Sequence, residues 1–520
     1  MGSEGACFDV SMKERRVHGD CTRTAVFLFL ALAFLFFVTS TGRVRTVDEI
    51  DAKFQGESLM FHGTTTVPQA VAANRFYGIL DRKGQPRAPY GDAQALLTVP
   101  WHAAAQVWWT VLPRGSMPVG SKYLFVDAMV TTSSAVFSAI AAALAFLIFC
   151  HLGIAARTAL AATVMITLAT PLFAYSAWFF SEPLVAALML AAALVLFAGQ
   201  KRYSLWRAAL AGLFLGAMIW VRPAHVIAVS VFFLAVLVRD RAKTPYPALV
   251  LALIAGVFGA GYLLRNQIYY GDIWEFGYPK VVEAAKHLNS FETPVTTGLF
   301  GFLLSPGKSV FLFAPPILLA IPGVLRLAKR DPGLGILAGG MPVVYLLFFS
   351  RYTQWEGGFC IGPRYLVPSI TLLCLGLGPL LAEAGLRTRK FAIALFAAGV
   401  FVQAVSISTS FMEDQAGGRY YDSHWNYRLG YSSITSQAKL LMNYLSSSQP
   451  AQLGLGYDRW FVFLAKAGAS RRILAYGLVL ELIGLAFFTW KLRKALLLLE
   501  ISDREPLKPV ESLTLPLPVN

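Results

Sequence analysis

Apolar residues run along this chain in unbroken stretches of about twenty, separated by short polar or basic connections, rather than in the alternation of a half-buried sheet. Such runs predict membrane helices over 24–40, 124–150, 156–174, 183–199, 206–221, 224–238, 247–268, 309–325, 333–350, 365–383, 391–410 and 472–490. The expected fold class is therefore all-α and polytopic, with about twelve transmembrane helices. The fifth and sixth runs are short and meet at Trp220-Val221-Arg222-Pro223, the pattern of a helix pair broken at its turn. No internal repeat is evident, in contrast to the duplicated halves of many transporters.

Composition sharpens this picture. Apolar residues make up 56% and charged residues 14% of the chain, against about 45–50% and 25% in a soluble domain. The net charge of +16 lies mostly in short alternate connections: Lys13/Arg15/Arg16/Arg23, Lys201/Arg202/Arg207, Arg239/Arg241/Lys243, Arg326/Lys329/Arg330, Arg387/Arg389/Lys390 and Lys491/Arg493/Lys494. That placement follows the positive-inside rule, so both termini are expected in the cytoplasm and no nucleic-acid partner is implied. The expected setting is the inner membrane of a bacterial cell envelope, since no Asn-x-Ser/Thr sequon occurs. The run Ala25 to Val38 lacks a convincing small-x-small cleavage site and reads as a retained first helix. Of five cysteines only Cys360 is expected outside, which leaves no external disulfide and no metal-ligand spacing.

The connections on the other side are long: 41–122, 269–308 and 411–471, with a shorter dense one at 351–364. The chain thus divides into a cytoplasmic segment 1–23, a transmembrane core 24–410 that includes the first external loop, an external acceptor-side element 411–471, a last helix 472–490 and a tail 491–520, whose part 501–520 reads as flexible. Asp92 to Leu112, with Trp101, Trp108 and Trp109, suits a helix lying in the membrane interface. The segments 438–442 and 460–464 are of the same kind.

Candidate chemistry gathers at the ends of these long connections. Asp48 and Glu49 follow the first run; adjacent carboxylates there either cap a helix beginning near Ile50 or supply a general base or metal ligand outside the bilayer. The run Trp355-Glu356-Gly357-Gly358-Phe359-Cys360-Ile361-Gly362-Pro363-Arg364-Tyr365-Leu366 forms a tight turn that brings Arg364 and Tyr365 to a helix start. A cation is disfavoured there by the helix dipole unless it meets an anion, and a guanidinium fork suits phosphate. Glu182 and Arg222 each stand beside a proline at the outer end of a run, placed to pair with each other or, for Arg222, to face the same anion as Arg364. Arg265 and Lys308 add positive charge at the same level, while His62 and His102 read as ordinary polar residues. A carboxylate base, several cations and aromatic interfacial helices fit an amphiphilic anionic substrate such as a polyprenyl phosphate sugar.

In their order, Asp48-Glu49, Arg87-Ala88-Pro89-Tyr90-Gly91 before Leu96 to Pro100, Ser181-Glu182-Pro183, Trp220 to Pro223, Asn266 to Gly271, Ser305-Pro306-Gly307 and Gly358 to Leu366 resemble the lipid-carrier-dependent glycosyltransferases of the C superfamily, among them the protein O-mannosyltransferases and aminoarabinose transferases. The resemblance covers roughly 24–380. It implies an inverting transfer of sugar from a polyprenyl phosphate to a lipid, glycan or protein acceptor at the outer face of the membrane. Carried over, Asp48 is the general base, Glu49 positions the acceptor or binds a divalent cation that some relatives need, and Arg364, then Arg222, Lys308 and Arg265, meet the phosphate. Glu182, Tyr365, Trp355 and Glu356 are supporting residues. The sugar and acceptor stay open. A multi-pass transporter or lipid flippase is the rival reading, since about twelve spans with both ends inside is a common transporter layout.

Overall fold

The computed structural model describes residues 2–113, 115–197, 204–239, 245–278, 291–358, 360–411, 426–446 and 457–504. Lys201, Arg202, Arg241, Lys243 and 505–520 of the expected tail lie outside the described residues. The protein is a polytopic helical membrane protein whose only described sheet is one two-stranded hairpin. Seven described helices are long and apolar enough to cross a membrane, and five shorter apolar helices of ten residues or more accompany them.

The first span belongs to a long helix, α1 (Gly2–Thr39). An extended linker leads into α2 (Val47–His62), which ends at Gly63 in the left-handed conformation. The rest of the first loop comprises α3 (Pro68–Ala72), the hairpin β1 (Ile79–Leu80) and β2 (Pro86–Arg87), and α4 (Asp92–Val111). In the hairpin Ile79 pairs with Arg87 and Leu80 with Pro86. The bundle continues through α5 (Lys122–His151), α6 (Ala156–Leu168), α7 (Pro171–Ser176), α8 (Glu182–Phe197), α9 (Leu205–Val221), α10 (Val226–Arg239) and α11 (Tyr246–Tyr270). Then come α12 (Val295–Leu304), α13 (Val310–Phe313), α14 (Ile317–Arg330), α15 (Pro332–Arg351), α16 (Val367–Leu373), α17 (Leu377–Ala382) and α18 (Leu386–Ser408). Among the described residues α19 (Ser433–Ser446), α20 (Trp460–Lys466) and α21 (Arg471–Arg504) complete the chain.

Prolines set most departures from the expected spans. The helix expected over 309–325 is divided at Pro315-Pro316 into α13 and α14, because a proline ring cannot donate to the preceding turn. The run 156–174 bends before Pro171 into α6 and α7. The run 365–383 alternates 3₁₀ turns with the short helices α16 and α17. One apolar helix, α12, lies within what the sequence suggested was loop; at ten residues it is about 15 Å long, half a hydrocarbon core. Residues 501–504, expected as the start of a flexible tail, belong to α21, which continues to Arg504.

The long segments collect at one end of the bundle. Trp460 N–H donates to Ser40 O (2.9 Å), Ser470 to Ser116 O (2.7 Å), Arg82 to Tyr269 O (2.8 Å) and Gly307 to Asn426 O (3.0 Å). The opposite end carries the basic connections, tied by Arg239–Asp331 (2.9 Å), Arg326–Glu383 (3.1 Å) and Arg330–Glu383 (3.3 Å). α9 rises from the basic end and α10 returns to it, so the turn at Arg222-Pro223 stands at the loop-bearing end. Arg222 is extended there (φ −155°, ψ 123°), the conformation that a following proline imposes. Gly91 lies flat against this turn: its N–H donates to Val221 O (3.3 Å), and a Cβ would stand 1.8 Å from Trp220 O. Only glycine lets the two backbones approach so closely, and the approach sets Tyr90 beside Arg222.

Candidate active site

α2 begins with a reciprocal cap. Glu49 N–H donates to Thr46 Oγ1 (3.3 Å), and Thr46 N–H donates to Glu49 Oε2 (2.9 Å). The same Oε2 accepts from Arg45 N–H (2.9 Å), and Oε1 accepts from Phe179 N–H (3.1 Å) at the junction of α7 and α8. Glu49 is fully buried. Its two oxygens thus take three backbone amides, fixing the first turn of α2 to the bundle, and face no cavity. This is the capping role that the sequence left open for the pair.

Successive helical residues point about 100° apart, so Asp48 faces elsewhere. Its carboxylate lines a cavity of about 330 Å³ together with Arg222, Arg364, Tyr90 and Tyr365. Arg364 Nη2 lies 2.6 Å from Asp48 Oδ2 and Arg222 Nη2 3.6 Å from the same oxygen. The Tyr90 hydroxyl donates to Oδ1. Burial alone would raise the Asp48 carboxyl; the Arg364 and Arg222 charges and the bonds from Tyr90 and Arg364 outweigh it and hold it below the ordinary carboxylate value. Asp48 is therefore ionised at neutral pH. Burial and the Asp48 and Asp51 charges push the Tyr90 hydroxyl above its usual value, so it keeps its proton and donates.

The two arginines differ in how they are held. Arg364 is buried; its Nε donates to Glu182 Oε1 (2.7 Å) and its Nη1 to Gly357 O (3.4 Å), so the fork is committed on every side. Of the two arrangements the sequence left open, Glu182 pairs with Arg364 rather than Arg222, and Arg222 faces the same anion as Arg364, Asp48. The turn that delivers Arg364 needs Gly357 (φ +85°), where a Cβ would lie 3.1 Å from Arg364 Cβ. Arg222, by contrast, meets Asp48 only at 3.6 Å and lies beside the rings of Tyr365 (5.5 Å) and Tyr90 (5.8 Å). Among the described residues it is the cavity cation with donors to spare.

Rings form the remaining walls. Phe349 stacks on Tyr365 (4.6 Å) and Phe291 packs on Phe348 (4.8 Å), with Tyr77, Tyr278 and Tyr352 completing the lining. Such walls exclude water and strengthen the charge interactions inside. The structure brings together Asp48, Arg222, Arg364, Tyr365 and, one contact behind them, Glu182. It does not bring Arg265 or Lys308 to this cavity. Arg265 pairs with Asp92 (2.9 Å), and Lys308 Nζ is buried against Cys360 O (3.1 Å). Trp355 is buried against Phe302 (5.4 Å), and Glu356 is a buried carboxyl raised by its burial. Tyr352 joins the lining without any local signal in the sequence, since nothing local marks a tyrosine whose neighbours are set by the fold.

Behind Asp48 on the same helix lies Asp51, fully buried. Burial and the Asp48 charge push its carboxyl up to about 9, against a smaller opposing pull from the Tyr77 backbone. The folded state holds this proton up to about pH 9, while the unfolded chain releases it near the ordinary 3.8. Stability contributed by this group is therefore full at low pH and is lost as pH rises across that window. Asp51→Asn should remove the slope: melting curves should show the variant gaining on wild type more at pH 8 than at pH 5.

His102 is also fully buried, and burial with the nearby Lys53 charge pushes it down to about 4. It is neutral at physiological pH rather than the ordinary polar loop residue the sequence suggested. Lys53 pairs with Asp127 (3.0 Å) and docks α2 on α5. Among the described residues no three of His, Cys, Asp and Glu converge in a way that could hold a metal ion.

No protein-family model matches the chain, and no curated protein matches it. Among solved structures it is similar to the crystal structure of ArnT from Cupriavidus metallidurans in the apo state, with 13% identity and a TM-score of 0.44 over 92% of this chain and 77% of that one.

Proposed function

We propose that the protein is a membrane glycosyltransferase that moves a sugar from a polyprenyl phosphate to an acceptor hydroxyl, with inversion. The observation that carries this reading is the Asp48 carboxylate set between two guanidinium groups in a ring-walled cavity at the loop-bearing end of a membrane bundle. The acceptor oxygen attacks the anomeric carbon, the bond from that carbon to the phosphate oxygen breaks, and the acceptor proton passes to Asp48. A single displacement inverts the centre. The phosphate leaves with an added negative charge, which Arg222 and Arg364 stabilise.

The ion pair also accounts for when the base acts. While Arg364 and Arg222 hold Asp48, its basicity is low. A donor phosphate brings its own anionic oxygens to Arg222, the less committed cation, and competes for Arg364. Asp48 then loses part of its countercharge, and its affinity for the acceptor proton rises once donor is bound. Glu49 lies outside this scheme as the cap of α2, and Arg265 and Lys308 as cations held by Asp92 and the Cys360 carbonyl. The segment 411–471 belongs to the acceptor side of the same proposal.

The test is transfer of labelled sugar from a panel of polyprenyl phosphate sugars by the full-length protein in lipid nanodiscs. One donor should yield a product. No product with any donor, together with movement of lipid or solute across proteoliposomes, would replace the transferase with the transporter.

A further inference from the structure

The linker between α1 and α2 is held from outside by residues far along the chain. Asp458, 2% exposed, pairs with Arg45 through Oδ2 and with Arg43 through Oδ1 (3.5 Å). Arg45 is itself buried, donates from Nη2 to Thr41 Oγ1 (2.7 Å) and lies over the Phe411 ring (4.9 Å). Its backbone N–H donates to Glu49 Oε2, the oxygen that caps α2. Trp460 N–H reaches Ser40 O, and a Cβ on Gly42 would stand 2.7 Å from Trp460 Cβ. Asp458 in turn is anchored by its own N–H on Ser408 O (3.2 Å), at the end of α18. None of these contacts lies in the cavity, yet those on the linker fall within the eight residues before Asp48, the last of them at Arg45.

We propose that residues 457–460 act as a strap that positions Asp48: Asp458, through Arg45, fixes the first turn of α2 so that the Asp48 carboxylate meets Arg364 and Arg222. This rests on the transferase reading for its consequence in catalysis, though not for its geometry. Asp458 touches neither cavity nor substrate, so it is a positioning residue. Outside the cavity the first turn of α2 is held by Glu49 on Phe179 N–H from the bundle and by Arg45 on Asp458 from the strap, while Thr41 Oγ1 on Ala177 O (3.0 Å) ties down the linker before it. Losing the strap contact loosens that turn, so that Asp48 can move away from its cations.

The groups facing Asp48 are Arg364 and Arg222 from the bundle, Tyr90 from the first loop, Asp51 from its own helix, and Tyr278 and Tyr365. The two cations dominate the attraction, so separation from them must raise the pH at which Asp48 takes a proton. Dicyclohexylcarbodiimide, which labels protonated carboxyls, reads that pH directly. Labelling of Asp48, resolved by peptide mass spectrometry across a pH series, should show a midpoint about one unit higher in Asp458→Asn than in wild type. Asp458→Glu keeps the charge pair and should shift it less. The exchanged pair Arg45→Asp with Asp458→Arg should bring it back.

An Asp48 midpoint that stays put in monodisperse Asp458→Asn would overturn the proposal and leave the pair as a structural bridge. Failure of the exchanged pair to restore the midpoint would do the same. Sugar transfer measured on the same samples separates the two readings. Wild-type protein that labels as expected but transfers no sugar counts against the transferase and leaves the strap standing.

Discussion

Asp48→Asn should lower sugar transfer by about 10²–10⁴-fold, the range ordinarily supplied by a positioned general base. The amide is nearly the same size and can still accept the Tyr90 hydroxyl proton, so the cavity keeps its shape. What it cannot do is take the acceptor proton. Arg364 would still hold Glu182 at 2.7 Å, and the donor phosphate would meet cations relieved of a competing anion. The donor KM should therefore stay level or fall while kcat collapses, a pattern read from initial rates over a donor series. Unaltered kcat would remove Asp48 from the chemistry. A raised KM at constant kcat would make it a binding group instead. Glu49→Gln is the paired control: losses there should appear first as a lower melting temperature, because Glu49 holds backbone amides rather than reactants.

Arg364→Ala should damage the folded protein more than any other single change in the cavity. The guanidinium separates two carboxylates, buried Glu182 and cavity-facing Asp48. Removing one partner of a buried ion pair costs about 3–5 kcal/mol, because the remaining charge is left uncompensated. Melting in nanodiscs should fall by several degrees. Arg222→Ala should behave differently. Arg222 stands 3.6 Å from Asp48 and outside the Glu182 pair, so its loss should spare the melting temperature and weaken donor binding. Equal melting temperatures for the two variants would contradict the division of labour between a committed and an available arginine.

The membrane bundle was legible because long apolar runs and basic connections are local signals, and eleven of the twelve expected runs correspond to helices that are long or short but apolar. The exception, 309–325, was written in Pro315-Pro316, and α12 was hidden because ten residues carry too weak a pattern. At the site, Asp48 and Glu49 looked alike as neighbours, and only the helical turn separates a cavity carboxylate from a cap. The spacing Thr46-Val47-Asp48-Glu49 is itself the signature of the capping box, so that division was within reach of the sequence. The partners of Arg364 were not. Glu182 and Asp48 lie 182 and 316 positions away, and no local pattern reports a contact made only when the whole bundle closes. Asp458 was invisible for the same reason, as an aspartate in a loop of ordinary composition.

α1 packs along α21, as Phe34 on Phe488 (5.4 Å) and the approach of Phe34 to Gly484 show. The first and last spans of the chain are thus neighbours. During synthesis the linker ahead of Asp48 emerges more than 400 residues before Asp458, Trp460 and α21. Until then α1 can lean on α5 and on α7, where Phe36 meets Phe173 (5.8 Å), and the stretch before Asp48 lacks its outer anchor. A chain halted before residue 457 would carry every cavity residue named above but not the strap proposed to position Asp48. On that proposal, synthesis past residue 460 becomes a condition for a fixed Asp48 carboxylate.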